Sequence, residues 1–218
     1  MSEKSPRKFF SVIAGNIGVG KTTFTRYLCS QLHWHAFYEN FADNPYLKSF
    51  YNDMQRWAFQ SQVFFLKERL KDLEQINHIK IPCVQDRSIF EDAEIFARNL
   101  YERQMMSETD YRVYHDLYKR ISAFLPKPDL LIYLRASTWT LISRIRKRGR
   151  EFEQDIDAEY LMQLNTLYEK WVRSFSQNCE TLIIDTDDFH MYENKQWLDG
   201  LVKEIASRAG NKKASDGI

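Results

Sequence analysis

Short apolar runs alternate with longer stretches of helical periodicity along this chain. The apolar runs predict five strands, over Phe9–Ala14, Ala36–Glu39, Ile81–Asp86, Leu130–Leu134 and Thr181–Asp185. Several are almost wholly apolar, which is typical of parallel strands covered on both faces. The stretches between them predict helices over Lys21–Leu32, Tyr46–Asn77, Phe90–Tyr101, Glu108–Phe124, Thr138–Lys147, Ala158–Ser176 and Asn194–Arg208. This alternation predicts an α/β fold built on a doubly wound sheet.

One domain accounts for the whole pattern. The 218 residues can bury a sizeable core, and the sequence contains no internal repeat, low-complexity block or linker. We therefore predict a single domain over residues 1–218. The ends, 1–6 and 210–218, lack apolar periodicity and are predicted to be disordered tails.

The charge and composition of the chain indicate which classes of partner it binds. There are 31 basic and 30 acidic residues, a formal net charge of +1, whereas a protein that binds nucleic-acid phosphates is usually more basic. No apolar segment approaches membrane-spanning length, and the first residues do not resemble a signal peptide. Three widely separated cysteines fit unpaired thiols in a reducing compartment. We predict a cytoplasmic protein that binds neither nucleic acid nor membranes.

A glycine-rich motif follows the first predicted strand. GNIGVGKT matches G-x-x-x-x-G-K-[ST], with Gly15, Gly20, Lys21 and Thr22 in the defining positions. In such a loop, backbone N–H groups face a phosphate at a helix N-terminus, the lysine reaches the β- and γ-phosphates, and the hydroxyl can ligate Mg²⁺. A glycine-rich turn without a ligand is the simpler alternative. The position between a strand and a helix favours the phosphate loop, which indicates nucleotide binding but not the reaction.

Charged residues stand at the ends of two further predicted strands. Glu39 ends the second strand, and Asp86 with Arg87 ends the third. Because ligands of doubly wound folds collect at the carboxyl ends of the strands, these side chains are expected to converge on the phosphate loop. A carboxylate beside an arginine can deprotonate and align an attacking hydroxyl. A solvated Glu39 and a structural Asp86–Arg87 ion pair are the ordinary alternatives.

Four arginines, Arg144, Arg146, Arg148 and Arg150, lie within seven residues, shortly before Glu153. They predict a lid over about 144–154 that closes on ATP and offsets charge on the transferring phosphoryl group. A solvated basic helix face is the alternative. A switch GTPase would need an N/T-K-x-D guanine signature, which the sequence lacks.

Four stretches together resemble one family. GNIGVGKTT, RWAFQSQVFFLKER, DRSIFED and RIRKRGREFEQ occur in the order and approximate spacing of the deoxyribonucleoside kinases, and the likeness runs from Phe9 to about Phe189. The resemblance implies a P-loop kinase fold with a five-stranded parallel sheet flanked by helices and an arginine-rich lid. It also implies transfer of the γ-phosphate of ATP, or another NTP, to the 5′-hydroxyl of a 2′-deoxyribonucleoside, with Mg²⁺ and in a homodimer.

The resemblance assigns the reacting groups by position. Glu39 matches the family's general base, and Arg87 matches the arginine that pairs with it and holds the 5′-oxygen. Thr22 and Asp86 match the residues that hold Mg²⁺. The remaining catalytic matches are Lys21, Arg144 and Arg148. ATP would be bound by Gly15, Asn16, Gly18, Gly20, Lys21, Thr22, Thr23, Arg150, Asp187 and Phe189.

The resemblance also assigns the acceptor site. Its residues are Glu39 and Arg87 at the 5′-hydroxyl, Tyr51 and Glu153 at the 3′-hydroxyl, Gln62, Arg69 and Asp92 at the base edge, and Phe96 against the base. The spacing of Gln62 and Arg69, and of Asp92 and Phe96, places each pair on one face of a helix. The sequence departs from the family at Asn40, where proline commonly follows the glutamate, so the turn that aims Glu39 is less stiff.

The predicted base preference follows from hydrogen-bond complementarity. Asp92 offers an acceptor and Arg69 a donor, which suits an amino-bearing ring. Thymine would place a carbonyl where Asp92 needs an amino group, and a buried mismatch of this kind is costly. We therefore expect deoxyadenosine and deoxycytidine as preferred substrates, with deoxyguanosine next.

Two other functions remain open from the sequence. A nucleoside monophosphate kinase, especially a thymidylate kinase, also couples a phosphate loop to a DR pair and an arginine lid. It needs a further arginine for the acceptor phosphate, which the sequence does not place. A nucleotide-binding switch without transferase activity is the other possibility, against which Glu39, Arg87 and Glu153 argue.

Overall fold

The computed structural model describes residues 8–39, 41–187 and 195–215. Its centre is a five-stranded, fully parallel sheet in the order β2-β3-β1-β4-β5. The strands are β1 (Phe10–Ala14), β2 (His35–Phe37), β3 (Cys83–Asp86), β4 (Leu130–Arg135) and β5 (Glu180–Asp185). The predicted sheet is confirmed, with boundaries that differ by one or two residues.

Helices connect the strands. They are α1 (Lys21–Leu32), α2 (Leu47–Asn52), α3 (Met54–His78), α4 (Ile89–Glu91), α5 (Arg98–Glu102), α6 (Glu108–Ser122), α7 (Thr138–Arg148), α8 (Ala158–Phe175) and α9 (Lys195–Ser215). Short 3₁₀ turns occupy Phe41–Asp43 and Glu151–Glu153. Within the described residues, no helix combines the length and apolar character needed to cross a membrane.

Two helical predictions need correction. The single helix predicted over Tyr46–Asn77 is two helices, because Asp53 leaves the helical conformation and its carboxylate accepts a hydrogen bond from the Arg56 amide at 3.0 Å. A short acidic side chain that caps an N-terminus starts a new helix. The last helix continues to Ser215, past residue 210, where the sequence predicted the start of a tail.

The central strand β1 ends at the edge of the sheet where the candidate site lies. All five of its residues are buried, and it pairs with β3 on one side and β4 on the other. The sheet therefore grows in opposite directions from β1, and its carboxyl end is the switch point at which ligands of doubly wound folds bind. Ile13 of β1 lies in register with Asp86 of β3, so the glycine-rich loop and Asp86 leave the same edge.

The segment between β3 and α6 contains an irregular helix. A capping box of Ser88 and Glu91 starts it, and Asp92–Ala97 then forms a π-helical stretch before α5. Such wide turns are common at functional sites, since they turn side chains away from the α-helical pattern. Asp92 and Phe96 both lie in this stretch.

Packing at the first glycine of the loop yields a stability prediction. Gly15 has φ +147°, and an added Cβ would lie 2.5 Å from the Leu134 carbonyl oxygen and 2.9 Å from Val19 Cγ1. We expect Gly15→Ala to lower the free energy of unfolding by about 1–3 kcal/mol, the scale of local backbone strain. The measurement is urea unfolding of the purified variant.

Gly200→Ala is the matched control. Gly200 lies in α9, and an added Cβ would meet nothing within 4 Å. Helix propensity predicts an unfolding free energy that is unchanged or higher by up to about 1 kcal/mol. Equal unfolding midpoints for the two variants would contradict the close packing of Gly15 on β4.

Candidate active site

The glycine-rich loop joins β1 to α1 and leads directly into the helix at Lys21. The ammonium group of Lys21 folds back over the loop and donates to the carbonyl oxygens of Gly15 at 2.7 Å and Asn16 at 3.1 Å. Burial, together with the nearby Arg87, lowers the Lys21 pKa to about 8. The loop thus presents backbone N–H groups and a cation at a helix N-terminus, an arrangement suited to phosphate.

Two oxygen ligands stand beside this loop. The Thr22 hydroxyl donates to Asp86 Oδ2 at 2.5 Å. The other carboxylate oxygen, Oδ1, is buried and has no hydrogen-bond partner within the described part of the chain. Burial raises the pKa of Asp86, against the opposing effect of Lys21. A hydroxyl and a carboxylate next to a phosphate loop are oxygen ligands of the kind that would hold a divalent cation such as Mg²⁺.

Glu39 faces the loop from the end of β2. Its Oε1 accepts from Arg69 Nη2 at 2.9 Å and lies 3.4 Å from Arg87 Nε. Burial would raise the Glu39 pKa, but Arg87, Arg69 and Lys21 together lower it below its usual value. The structure therefore brings Glu39 and Arg87 together at the mouth of the sheet, as the sequence predicts, and adds Arg69 to the pair.

Arg87 is held in an unusual backbone conformation. It follows β3 with φ +70°, a left-handed value that costs energy for a residue with a side chain. Its amide donates to the Ile13 carbonyl oxygen at 3.0 Å. The guanidinium lies 4.2 Å from the Phe96 ring centroid, which is cation–π geometry. Backbone and ring together aim Arg87 at Glu39.

The residues predicted to contact the base fall into two layers. Gln62 and Phe96 line the cavity, and Gln62 Oε1 is buried without a partner in the described residues. Arg69 and Asp92 lie behind them, 1% and 2% exposed, joined by a contact of 3.0 Å between Arg69 Nε and Asp92 Oδ2. Burial raises the Asp92 pKa despite Arg69. Arg69 and Asp92 do not line the cavity in this conformation.

The predicted lid closes the opposite side. Glu153 is buried and pairs with Arg148 and, at 3.2 Å, with Arg150. The guanidinium of Arg150 lies 3.6 Å from the Phe41 ring centroid. The ring of Tyr51 packs against Phe152 of the lid, with centroids 5.5 Å apart. Both predicted 3′-hydroxyl contacts, Tyr51 and Glu153, therefore lie where the lid meets α2.

Two predicted ATP contacts lie beyond the phosphate loop. Arg144 donates to the Val19 carbonyl oxygen at 3.2 Å and to the Thr186 hydroxyl at 3.0 Å. Asp187 accepts from the Ser137 amide at 2.8 Å. Neither lines the central cavity; they join α7 to the end of β5. Phe189, and Asn40 next to Glu39 in the sequence, lie outside the described residues.

These parts surround one cavity of about 280 Å³, close to the lower end of small-molecule sites. The predicted residues that line it are Gly18, Gly20, Lys21, Thr22, Thr23, Glu39, Tyr51, Gln62, Arg87, Phe96, Arg148, Arg150 and Glu153. Gly15, Asn16 and Asp86 lie behind this lining. Sequence reasoning missed six other lining residues, Ile17, Phe41, Leu47, Phe50, Phe65 and Tyr160. They are aromatic or apolar and look like core residues in the sequence.

Sequence reasoning also missed a buried support for the phosphate loop. Glu91 Oε1 accepts from the Gly15 amide at 3.2 Å. The Tyr168 hydroxyl lies 2.9 Å from that oxygen and from the Gly15 carbonyl oxygen. Burial raises the pKa of Glu91, and the Tyr168 hydroxyl can donate either to Glu91 or to the Gly15 carbonyl oxygen. The capping-box pattern Ser88-x-x-Glu91 is the only signal of Glu91 in the sequence.

A parallel sheet with a phosphate loop at its switch point and a basic lid defines the class of P-loop kinases. The chain belongs to the deoxynucleoside kinase family, because the family model for deoxynucleoside kinases matches residues 11–208. The protein is therefore an enzyme that phosphorylates deoxynucleosides, and the sequence prediction of fold and reaction is confirmed.

Relatives of known name agree with this assignment. The chain is 36% identical over 204 residues to the deoxyadenosine/deoxycytidine kinase of Bacillus subtilis, covering 93% of this chain and 94% of that one. It is 34% identical to the deoxyguanosine kinase of the same organism, over 90% and 95% of the two chains. The structure of deoxyadenosine kinase from M. mycoides with dCMP and a flexible dCDP superposes with a TM-score of 0.82 at 31% identity, covering 91% and 100% of the chains.

The lowered Lys21 pKa generates a pH prediction. A bound triphosphate favours the protonated ammonium and raises the pKa from about 8. At a pH between the Lys21 pKa of the free protein and that of the ATP complex, Lys21 is more fully protonated in the complex than in the free protein. ATP binding therefore takes up protons just above pH 8, and the affinity for ATP falls as the pH rises. The measurement is isothermal titration calorimetry with ATP in buffers of different ionisation enthalpy.

Lys21→Arg provides the comparison, because a guanidinium stays protonated over this range. We expect that variant to show less proton uptake than the wild type. Equal uptake by both proteins would exclude Lys21 as its source.

Proposed function

We propose that this enzyme transfers the γ-phosphate of ATP to the 5′-hydroxyl of a deoxynucleoside, with Glu39 as general base. The observation that supports this assignment is the convergence of Glu39, Arg87 and Lys21 on one cavity. Glu39 takes the proton from the 5′-hydroxyl as its oxygen attacks phosphorus. Arg87 orients both the carboxylate and the attacking oxygen. Placement and charge compensation supply most of the rate enhancement, because phosphoryl transfer needs little covalent help.

The donor side follows from the phosphate loop. Backbone amides of the loop residues that line the cavity and the ammonium of Lys21 hold the β- and γ-phosphates, for which Lys21 must leave the carbonyl oxygens that it contacts now. Thr22 and Asp86 hold Mg²⁺, which offsets phosphate charge when bound. Arg148 and Arg150 approach the transferring group from the lid. Arg144, Asp187 and Phe189 remain predicted contacts of the donor nucleotide.

The acceptor side follows from the remaining walls. Tyr51 and Glu153 hold the 3′-hydroxyl, and Phe96 packs against the base. Gln62, whose buried Oε1 lacks a partner in the described residues, hydrogen-bonds the base edge. Arg69 and Asp92 read the ring nitrogen and the amino group from the second layer.

The Arg69–Asp92 pair supports deoxyadenosine and deoxycytidine as preferred substrates, with deoxyguanosine next. A buried donor and acceptor favour an amino-bearing ring over thymine. The names of the Bacillus subtilis relatives, a deoxyadenosine/deoxycytidine kinase and a deoxyguanosine kinase, point the same way. We further propose a role in nucleotide salvage. A cytoplasmic location and a homodimer remain predictions.

A nucleoside monophosphate kinase fits this cavity less well. Its acceptor phosphate needs unpaired cations, but the acceptor wall presents the carboxylates Glu39 and Glu153. Arg87 lies beside Glu39, and Arg148 and Arg150 pair with Glu153. A second phosphate would enter a region of negative charge, which favours a neutral nucleoside.

The role of Glu39 predicts a large loss in the isosteric variant. Glu39→Gln removes the proton acceptor while it keeps the side-chain shape, so kcat should fall roughly a hundredfold or more, the scale of general-base catalysis. The measurement is ADP formation with saturating deoxyadenosine, ATP and Mg²⁺, together with the melting temperature. Glu204→Gln on α9 is the matched control, with wild-type turnover expected. A folded Glu39→Gln enzyme with unchanged kcat would remove Glu39 from the mechanism.

The base assignment predicts an order of substrates. We expect kcat/KM to be highest for deoxyadenosine and deoxycytidine, lower for deoxyguanosine and lowest for thymidine. Four deoxynucleosides and their 5′-monophosphates, assayed side by side with ATP and Mg²⁺, provide the measurement. Preferential use of thymidine would refute the role of Asp92 and Arg69, and preferential use of the monophosphates would refute the acceptor assignment.

A further inference from the structure

Four side chains of alternating charge, Asp92, Arg69, Glu39 and Arg87, contact one another in sequence. They connect the pair behind the cavity lining, Arg69 and Asp92, to the carboxylate proposed to react. Asp92 Oδ2 contacts Arg69 Nε at 3.0 Å, Arg69 Nη2 contacts Glu39 Oε1 at 2.9 Å, and that oxygen lies 3.4 Å from Arg87 Nε. Arg69 is 1% exposed, and its third acidic neighbour, Asp72, is 4.0 Å away. One buried guanidinium thus joins the residue assigned to base recognition to the residue assigned to proton abstraction.

The contact with Arg69 is the closer of the two that Glu39 makes. It has hydrogen-bond geometry, whereas Arg87 Nε has no hydrogen-bond partner within the described part of the chain. Charge-assisted hydrogen bonds of this kind are about twice as strong as neutral ones. In this conformation Arg69 is the guanidinium nearest to the Glu39 carboxylate, and its positive charge makes that carboxylate a weaker base.

We propose that Arg69 is a positioning residue that couples base recognition to catalysis, because a correctly matched base draws its guanidinium away from Glu39. This inference rests on the proposed function of Glu39, Arg69 and Asp92. Binding of an amino-bearing base redirects Arg69 Nη2 to the base while Nε stays on Asp92. Glu39 then keeps Arg87 as its partner and, with one cation fewer beside it, becomes a stronger base toward the proton of the 5′-hydroxyl.

The coupling has a consequence for specificity. Thymine carries a proton on N3, where adenine N1 and cytosine N3 are acceptors, so its ring nitrogen cannot accept from Arg69 and the guanidinium stays on Glu39. Discrimination then appears in kcat as well as in KM, since the mismatched base leaves Glu39 a weaker base.

The titration of Glu39 reports this state directly. The charged and titratable groups that surround it are the cations Lys21, Arg69 and Arg87, the carboxylates Asp86 and Asp92, and the hydroxyl of Tyr51. Removal of the Arg69 contact raises the pKa of Glu39, because an adjacent opposite charge favours the ionised carboxylate. A nucleoside that redirects Arg69 has the same effect.

The experiment is a ¹³C NMR titration of the glutamate carboxyl groups in the full chain without ATP. Glu39 is assigned by the signal that Glu39→Gln removes. In the wild type, we expect deoxyadenosine to shift the Glu39 titration to higher pH, and thymidine to shift it less. In Arg69→Gln the free protein already titrates higher, and the two nucleosides produce equal, smaller shifts. Arg56→Gln, on the exposed start of the same helix, should behave as the wild type.

Two further results decide the matter. Asp92→Asn removes the carboxylate that competes with Glu39 for Arg69, so Arg69 contacts Glu39 more closely. Glu39 should then titrate at lower pH in the free protein. This variant tests the coupling if Arg69→Gln does not fold. Equal nucleoside-induced shifts in the wild type and Arg69→Gln, or no downward shift in Asp92→Asn, would overturn the proposal. Normal turnover by Glu39→Gln would instead refute the proposed function of Glu39, while the titration still reports the coupling.

Discussion

The site depends on a single carboxylate shared by two guanidinium groups. Glu39 lies just past the end of β2, between Arg69 and Arg87, and both cations together with Lys21 lower its pKa. An isolated buried carboxylate would protonate, and an isolated buried guanidinium would be strongly destabilising. The three side chains therefore require one another, and the two that line the cavity, Glu39 and Arg87, give its wall a fixed charge pattern.

Two buried side chains also support the glycine-rich loop, on the side away from the cavity. Glu91 and Tyr168 contact both backbone groups of Gly15, and they come from the segment after β3 and from α8. The residue that starts this segment, Arg87, also orients Glu39. One stretch of chain, residues 87–96, thus contacts the glycine-rich loop and Glu39 and contributes Arg87 and Phe96 to the cavity wall.

Sequence reasoning recovered the features that are local or fixed by the sheet. The phosphate loop is a contiguous motif, and the carboxyl ends of parallel strands must meet at one edge, so Lys21, Glu39 and Arg87 could be placed together. The contact between Arg69 and Glu39 spans 30 positions and depends on side-chain conformation and helix packing. Glu91 and Tyr168 lie 77 positions apart and resemble ordinary core residues. Such contacts require coordinates, since neither spacing nor composition distinguishes them.

We propose that the Glu39 carboxylate and the Arg87 guanidinium face the end of a bound triphosphate across a space that holds the sugar. The decisive measurement is a crystal structure with deoxyadenosine and a non-hydrolysable ATP analogue. We expect the 5′-oxygen to lie within hydrogen-bond distance of Glu39 and in line with the γ-phosphorus. A nucleoside bound elsewhere, or one whose 5′-hydroxyl points away from both side chains, would contradict it.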